Sequence, residues 1–201
     1  MVIDQNGKGG ALLNHTPIML DLSQKPAVVV GGGKVAARRI RWLLIAGACV
    51  TVVAERAQEA IRVLAAEGKV TYREKPFAPA DLEGAWVVVA ATDSPEVNRK
   101  VAEAAGDRQL VNVVDQPNRG NFHVPTSLQQ GWLTLAVSTG GASPILAGMI
   151  RDKLAEQFDE KWAEALEALD EERRAIKGSG LCEEEKRHQL KRLARKWFDS
   201  L

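Results

Sequence analysis

The chain has 201 residues, enough for one full domain and a smaller second one, and at 45% hydrophobic and 26% charged it can bury a sizeable core. Lysine and arginine total 27 against 26 for aspartate and glutamate, a formal net charge of +1; without a basic stripe, no nucleic-acid partner is expected. No run reaches the roughly 18 uninterrupted apolar residues that span a bilayer, so no membrane is expected either.

The first 14 residues lack the apolar core of a signal peptide, and Gly7, Gly9 and Gly10 predict a flexible lead-in. Cys49 and Cys182 lie too far apart in sequence for a metal-type pair, and a disulfide framework is not expected. Cys49, inside an apolar run, reads as a buried inert thiol. This cysteine usage points to a cytoplasmic protein.

Val28–Val30 follows Pro26, predicts a short strand, and runs straight into Gly31-Gly32-Gly33. From Lys34 the period changes. Ala36, Ile40, Leu43, Leu44 and Gly47 recur at helical spacing, Arg38, Arg39 and Arg41 take other faces, and Gly47 reads as the C-cap. A strand is expected at Val50–Val53, a helix at Ile61–Ala66 and a strand at Val70–Tyr72. Trp86–Ala90 is apolar throughout, as in a strand covered on both faces. Ser94-Pro95-Glu96 has the composition of a helix start, with Val97, Val101 and Ala104 on its buried face. Leu110–Val114 is the fifth strand. This alternation predicts an α/β fold: a Rossmann-type, doubly wound parallel sheet with helices on both faces.

After Asp115 the rhythm breaks. Pro117–Gly120 is turn chemistry, Trp132–Val137 an alternating strand, and Ser143-Pro144 opens a helix with Leu146, Met149, Ile150 and Leu154 on one face. From Glu156 the chain is charged and helix-forming. One stripe carries Trp162, Leu166, Leu169 and Arg173, another Leu190, Leu193, Ala194 and Trp197, with Gly178-Ser179-Gly180 between them. Such stripes need a partner surface, in cis or across a dimer.

Gly31-Gly32-Gly33-Lys34-Val35-Ala36 satisfies G-x-G-x-x-A in the strand–turn–helix context that a dinucleotide fingerprint requires. Gly31 permits the tight turn, Gly33 leaves room for backbone to approach a pyrophosphate, and Ala36 lets helix and strand pack closely. The helix N-terminus, with Lys34 and Val35, offers free N–H groups to phosphate. An acid about 20 residues on should meet the ribose hydroxyls, and Glu55 stands directly after the second strand. Its neighbour Arg56 would instead accept the 2′-phosphate of NADP. NAD is the expected cofactor, NADP or a merely solvated charge pair the alternative. Thr92 and Asp93 end the fourth strand, where open α/β sheets place ligand contacts; they meet the dinucleotide, or Asp93 or Ser94 caps the next helix.

Four motifs occur together and in order: Val30 to Ala36, Ala90-Ala91-Thr92-Asp93 with Asn98, Asn112-Val113-Val114-Asp115, and Ser138-Thr139-Gly140-Gly141-Ala142-Ser143-Pro144. On these, from about Pro17 to Phe158, the chain resembles the precorrin-2 dehydrogenase/sirohydrochlorin ferrochelatase family of siroheme synthesis. The resemblance implies NAD-linked oxidation of precorrin-2 to sirohydrochlorin, with insertion of ferrous iron in some members. It also implies a homodimer organised as an NAD-binding Rossmann domain (residues 1–115), a central dimerisation segment (116–143) and a C-terminal helical domain (144–201). Its cofactor contacts fall here on Lys34, Val35, Glu55 and Arg56, and its key aspartate is Asp115. Some relatives are fused to a methyltransferase, a domain not expected in these 201 residues. Thr126 follows Pro125 where many relatives carry Ser or Ala, and His123 stands where many have an apolar residue.

Asp115, at a strand's C-terminal end, is the expected catalytic residue, as general base or as electrostatic partner of a pyrrole N–H; otherwise it caps the following turn. His123 joins it in handling protons or metal, or is structural. No His/Cys cluster at ligand spacing names a metal site. For a polycarboxylate tetrapyrrole, the stretch from Ser138 to Ser143 leads into a helix N-terminus suited to anions, and Arg119 and Arg151 suit carboxylates. Asn112, Arg119, Ser138 and Ser143 are the substrate-binding candidates. Three functions follow: a dehydrogenase, a bifunctional enzyme that also inserts iron, or an NAD(H)-sensing module. A sensor needs no second ligand site, so these residues favour the dehydrogenase.

Overall fold

The computed structural model describes residues 15–201; the expectations of a flexible lead-in and of no signal peptide concern residues outside the described ones. By contacts the chain divides into two compact units, one ending at Val124 and one spanning Pro125–Leu201.

The first unit holds strands β1 (Pro26–Val30), β2 (Cys49–Val53), β3 (Val70–Arg73), β4 (Val87–Ala90) and β5 (Leu110–Val113), with helices α1 (Lys34–Ile45), α2 (Glu59–Ala66) and α3 (Pro95–Ala104). The strands are all parallel, in the order β3-β2-β1-β4-β5. Successive strand side chains point to opposite faces, and both faces are covered. Val29, Val52, Val87 and Val89 pack with Ile40, Leu43 and Ile61 in one core. Val28, Val30, Val53 and Val88 pack with Val101 and Val111 in the other. That double burial is why β4 shows a solid valine run rather than alternation.

The helix ends follow local chemistry. Gly47 adopts φ +77° and donates to the Leu44 carbonyl, while Ala48 donates to that of Leu43, a Schellman closure of α1. At α3, the Ser94 hydroxyl accepts the Val97 N–H at 3.4 Å and Pro95 opens the helix. Cys49 departs from expectation. It is exposed, because it begins β2 at the sheet's N-terminal edge, where its thiol faces the Gln24 carboxamide oxygen at 3.6 Å.

The second unit opens with an antiparallel hairpin of β6 (Thr126–Gln130) and β7 (Leu133–Val137), followed by α4 (Pro144–Gln157), α5 (Lys161–Gly178) and α6 (Glu183–Ser200). Its first strand is not among the predicted elements, since Thr-Ser-Leu-Gln-Gln carries little apolar signal. Trp132 lies in the turn rather than the strand, beside Gly131 at φ +55°. The two apolar stripes meet each other in cis. Trp162, Leu166 and Leu169 of α5 line one small cavity with Ala194, Trp197 and Phe198 of α6, and the Trp197 indole donates to Glu172 at 3.1 Å. Among the described residues no helix is long and apolar enough to cross a membrane.

Candidate functional site

The strand order reverses between β1 and β4, so their following segments diverge and leave a crevice at the C-terminal edge of the sheet, the usual ligand position in such folds. The glycine turn sits there. Gly31 has φ +130°, and a Cβ on it would lie 2.3 Å from the Ala91 carbonyl oxygen. A Cβ on Gly32 would lie 1.9 Å from the Arg56 carbonyl oxygen, and the Gln58 N–H donates to the Gly32 carbonyl at 2.9 Å. Gly33 differs: its backbone is extended and a Cβ would meet nothing within 4 Å. Gly31 thus makes the turn as expected and Gly33 borders open space. The docking of Gly32 on the segment after β2 was not legible in the motif.

Ala36 is fully buried beneath the turn. Gly33, the N-cap of α1, has no side chain, and the first turn carries no acid. The leading N–H groups and the positive end of the helix dipole are therefore left for an external anion. Lys34 and Val35 are exposed at that end. The Gly32 contact brings the loop of Glu55 and Arg56 alongside. Both side chains are exposed, and among the described residues neither makes an ion pair. The residues present fit a dinucleotide: a glycine cradle, an uncapped helix start, and an acid next to it.

At the ends of β4 and β5 lies a polar cluster. Asp115 is exposed, but its Oδ1 accepts from the Asn98 amide at 2.8 Å, while among the described residues Oδ2 has only Gln116 Nε2 at 3.5 Å. Asn98 is completely buried on α3, and its Oδ1 accepts from the Thr92 N–H at 3.0 Å and the Thr92 hydroxyl at 2.7 Å. Asp93 is exposed and leaves the capping to Ser94.

A family of NAD(P)-binding domains matches residues 18–126, and the central segment of sirohaem biosynthesis proteins matches residues 130–157. Siroheme synthase 3 of Aeromonas hydrophila is 43% identical over 143 residues, which make up 71% of this chain and 31% of that protein. A siroheme synthase of Methylobacillus flagellatus is 43% identical over 139 residues, 69% of this chain and 30% of that protein. The chain therefore spans less than a third of the length of these curated relatives. Among solved structures, SirC, a precorrin-2 dehydrogenase, superposes with a TM-score of 0.80 at 33% identity over 89% of each chain. The chain belongs to the precorrin-2 dehydrogenase family of siroheme synthesis.

In this family member the other expected site residues are dispersed. Asn112 is buried and donates to the Phe122 carbonyl at 3.1 Å, with its Oδ1 buried and without a partner among the described residues. Asn121 accepts from the Val111 N–H and donates to the Gln109 carbonyl, pinning the segment after Asp115 along the free edge of β5. Arg119 donates to Gln116 at 2.6 Å and lies 3.8 Å from Glu103. His123 is exposed, with its ring 4.1 Å from that of His15. In the second unit, the Ser138 hydroxyl accepts the Gly140 N–H, the Ser143 hydroxyl caps α4 through the Leu146 N–H, and Arg151 pairs with Asp152. Among the described residues no three His, Cys, Asp or Glu side chains converge on a metal site. Asn98 was legible only as a motif member; its signal was a lone amide on an otherwise apolar helix face.

Proposed function

We propose that this chain oxidises precorrin-2 to sirohydrochlorin with NAD. Family membership and the likeness to SirC support the reaction. The observation that carries the chemistry is Asp115, held by a buried amide at the sheet's C-terminal edge, at the end of β5, next to the strand that bears the dinucleotide turn's contact. NAD, when bound, supplies the hydride acceptor.

The chain's own residues do the rest. The open side of Gly33 and the first turn of α1, with Lys34 and Val35, receive the pyrophosphate, and Glu55 binds the ribose hydroxyls. Thr92 and Asp93 border the same crevice. Aromatisation removes two electrons with one hydrogen and a second hydrogen as a proton. Asp115 takes that proton at Oδ2, since Oδ1 is occupied by Asn98. Arg119 in the first unit and, separately, Ser138 and the start of α4 at Ser143 in the second are candidates for substrate carboxylates. His123 is a further polar candidate, and Asn112 is buried with its amide on the Phe122 carbonyl. The apolar face left bare on α4 supports a homodimer: Ile145 and Met149 are 78% and 63% exposed.

The test is anaerobic incubation of the purified protein with enzymatically generated precorrin-2, alone or with NAD or NADP, followed by absorbance. Sirohydrochlorin appearing only with NAD is the expected result. Asp115→Asn should lower kcat by about 100-fold or more while NAD affinity stays within about twofold. Dinucleotide binding without conversion would overturn the reading in favour of a sensor. A further arm with ferrous iron measures metal insertion against the uncatalysed rate.

A further inference from the structure

An asparagine amide has two donor hydrogens and an acceptor oxygen with two lone pairs, and Asn98 uses all of them. Its Oδ1 takes the Thr92 N–H and the Thr92 hydroxyl; its Nδ2 gives one hydrogen to the Thr92 carbonyl at 3.1 Å and one to Asp115 at 2.8 Å. A backbone N–H can only donate, so it fixes which end of the amide is oxygen and leaves Nδ2 to face the carboxylate. The Thr92 hydroxyl oxygen lies 3.0 Å from the Ser94 carbonyl, a second and longer acceptor for its one hydrogen, and accepts the Ser94 N–H at 3.2 Å, which anchors the cluster to the start of α3.

The peptide joining Ala91 to Thr92 has a second neighbour. A Cβ on Gly31 would lie 2.3 Å from its carbonyl oxygen and 3.0 Å from its nitrogen, so the dinucleotide turn rests on the same peptide whose N–H Asn98 holds. An unbroken series of contacts runs from Gly31 through that peptide and Asn98 to Asp115. Helix α3 has its cap from Ser94 and its apolar anchor from Val101. A completely buried amide between them is costly to desolvate unless fully bonded.

We infer that Asn98 is a positioning residue that sets the Asp115 carboxylate at a fixed place relative to the dinucleotide turn. Completely buried, it acts by holding Oδ1 of Asp115 so that Oδ2 stays directed to one position. The inference rests on the reading of Asp115 as the proton acceptor.

The decisive variant is Asn98→Asp. It keeps an oxygen for the Thr92 N–H but replaces the donor facing Asp115 with a second carboxyl oxygen. The expected result is a loss of at least about tenfold in kcat, with KM and Kd for NAD within about twofold, because the glycine turn keeps its seat. If Asn98 acts through Asp115, introducing Asn98→Asp into Asp115→Asn should cost little further activity. An equal loss in both backgrounds, or parallel changes in NAD affinity and kcat, would mean a merely structural amide and overturn the inference. So would Asn98→Asp with kcat within about threefold of the parent. Should Asn98→Asp not fold, Asn98→Ser shortens the side chain so that its hydroxyl no longer reaches Asp115. It should lower kcat by at least about threefold with Kd for NAD within about twofold, and an unchanged kcat overturns the inference. Full activity in Asp115→Asn would instead sink the proton-acceptor reading itself, an outcome separable from these.

Discussion

Gly31, Gly32 and Gly33 are chemically identical, yet a methyl group would meet different surroundings at each. At Gly31 it would collide with the Ala91 carbonyl on a backbone at φ +130°, and at Gly32 with the Arg56 carbonyl, whereas at Gly33 it would enter open space. Alanine at Gly31 or Gly32 should therefore cost stability, at least about 2 kcal/mol each, since rigid backbone must move. Gly33→Ala should melt within a few degrees of the parent, but a methyl group projecting into the phosphate approach should weaken NAD binding by about tenfold or more. Thermal melts together with NAD titration of the three variants check this. Loss of stability without loss of NAD affinity in Gly33→Ala would contradict the cradle. The G-x-G-x-x-A spacing made Gly31 and Gly33 legible. Gly32 was an "x" whose constraint comes from a segment after β2, which only folding brings near.

Between β3 and β4 the chain is held by one buried acid. Asp81, on the short turn Pro79–Leu82, accepts from Lys75 at 2.8 Å, from Arg73 at 3.3 Å and from the Ala78 N–H at 2.9 Å. Burial pushes this carboxyl's pKa up, but the Lys75 and Ala78 hydrogen bonds, the Lys75 charge and Arg73 together hold it below the ordinary carboxylate value. A pKa lowered in the folded state adds stability that is present above the unfolded value, about 3.9, and lost as pH falls through the folded one. Asp81→Asn should thus be less stable by about 1–3 kcal/mol at pH 7. The gap to the parent should narrow as the pH drops below about 4. Urea titrations at pH 7, 5 and 3.5 measure it, and a gap constant with pH would exclude the ionic origin. At this scale the helix starts were legible, since Ser94-Pro95 and Ser143-Pro144 are local codes. The Asp81 clamp was not, because its partners lie on a strand end and a loop with no shared periodicity.

Across the whole chain, apolar surface has two fates. The stripes of α5 and α6 cover each other, and Ala165 and Leu193 are buried there. Helix α4 instead leaves Ile145, Leu146, Met149 and Ile150 exposed within two turns, too large a patch for a solvated helix face. The proposed homodimer would cover it. Met149→Glu should shift the protein toward monomer in sedimentation or light scattering, while circular dichroism stays unchanged; a parent already monomeric at micromolar concentration would refute the dimer. By spacing alone, the helical stripes are compatible with pairing in cis or across a dimer. For α5 and α6 the answer is cis, because Gly178-Ser179-Gly180 lets the chain reverse and lay one stripe on the other.

The amino-acid order by itself determined the alternation of strands and helices, the glycine turn, the helix caps and the position of Asp115 at a strand end. Each depends on residues within one or two turns of each other, where propensity, steric freedom and hydrophobic period act directly. Tertiary structure alone decided that Gly32 abuts Arg56, that the amide of Asn98 holds Asp115 from 17 residues away, that Asn121 seals the edge of β5, and that Cys49 is exposed. Those contacts join segments whose spacing carries no periodic signal. Asn98, completely buried, must find partners for its amide because an unpaired one is costly, and the others follow from which segments the sheet order sets side by side.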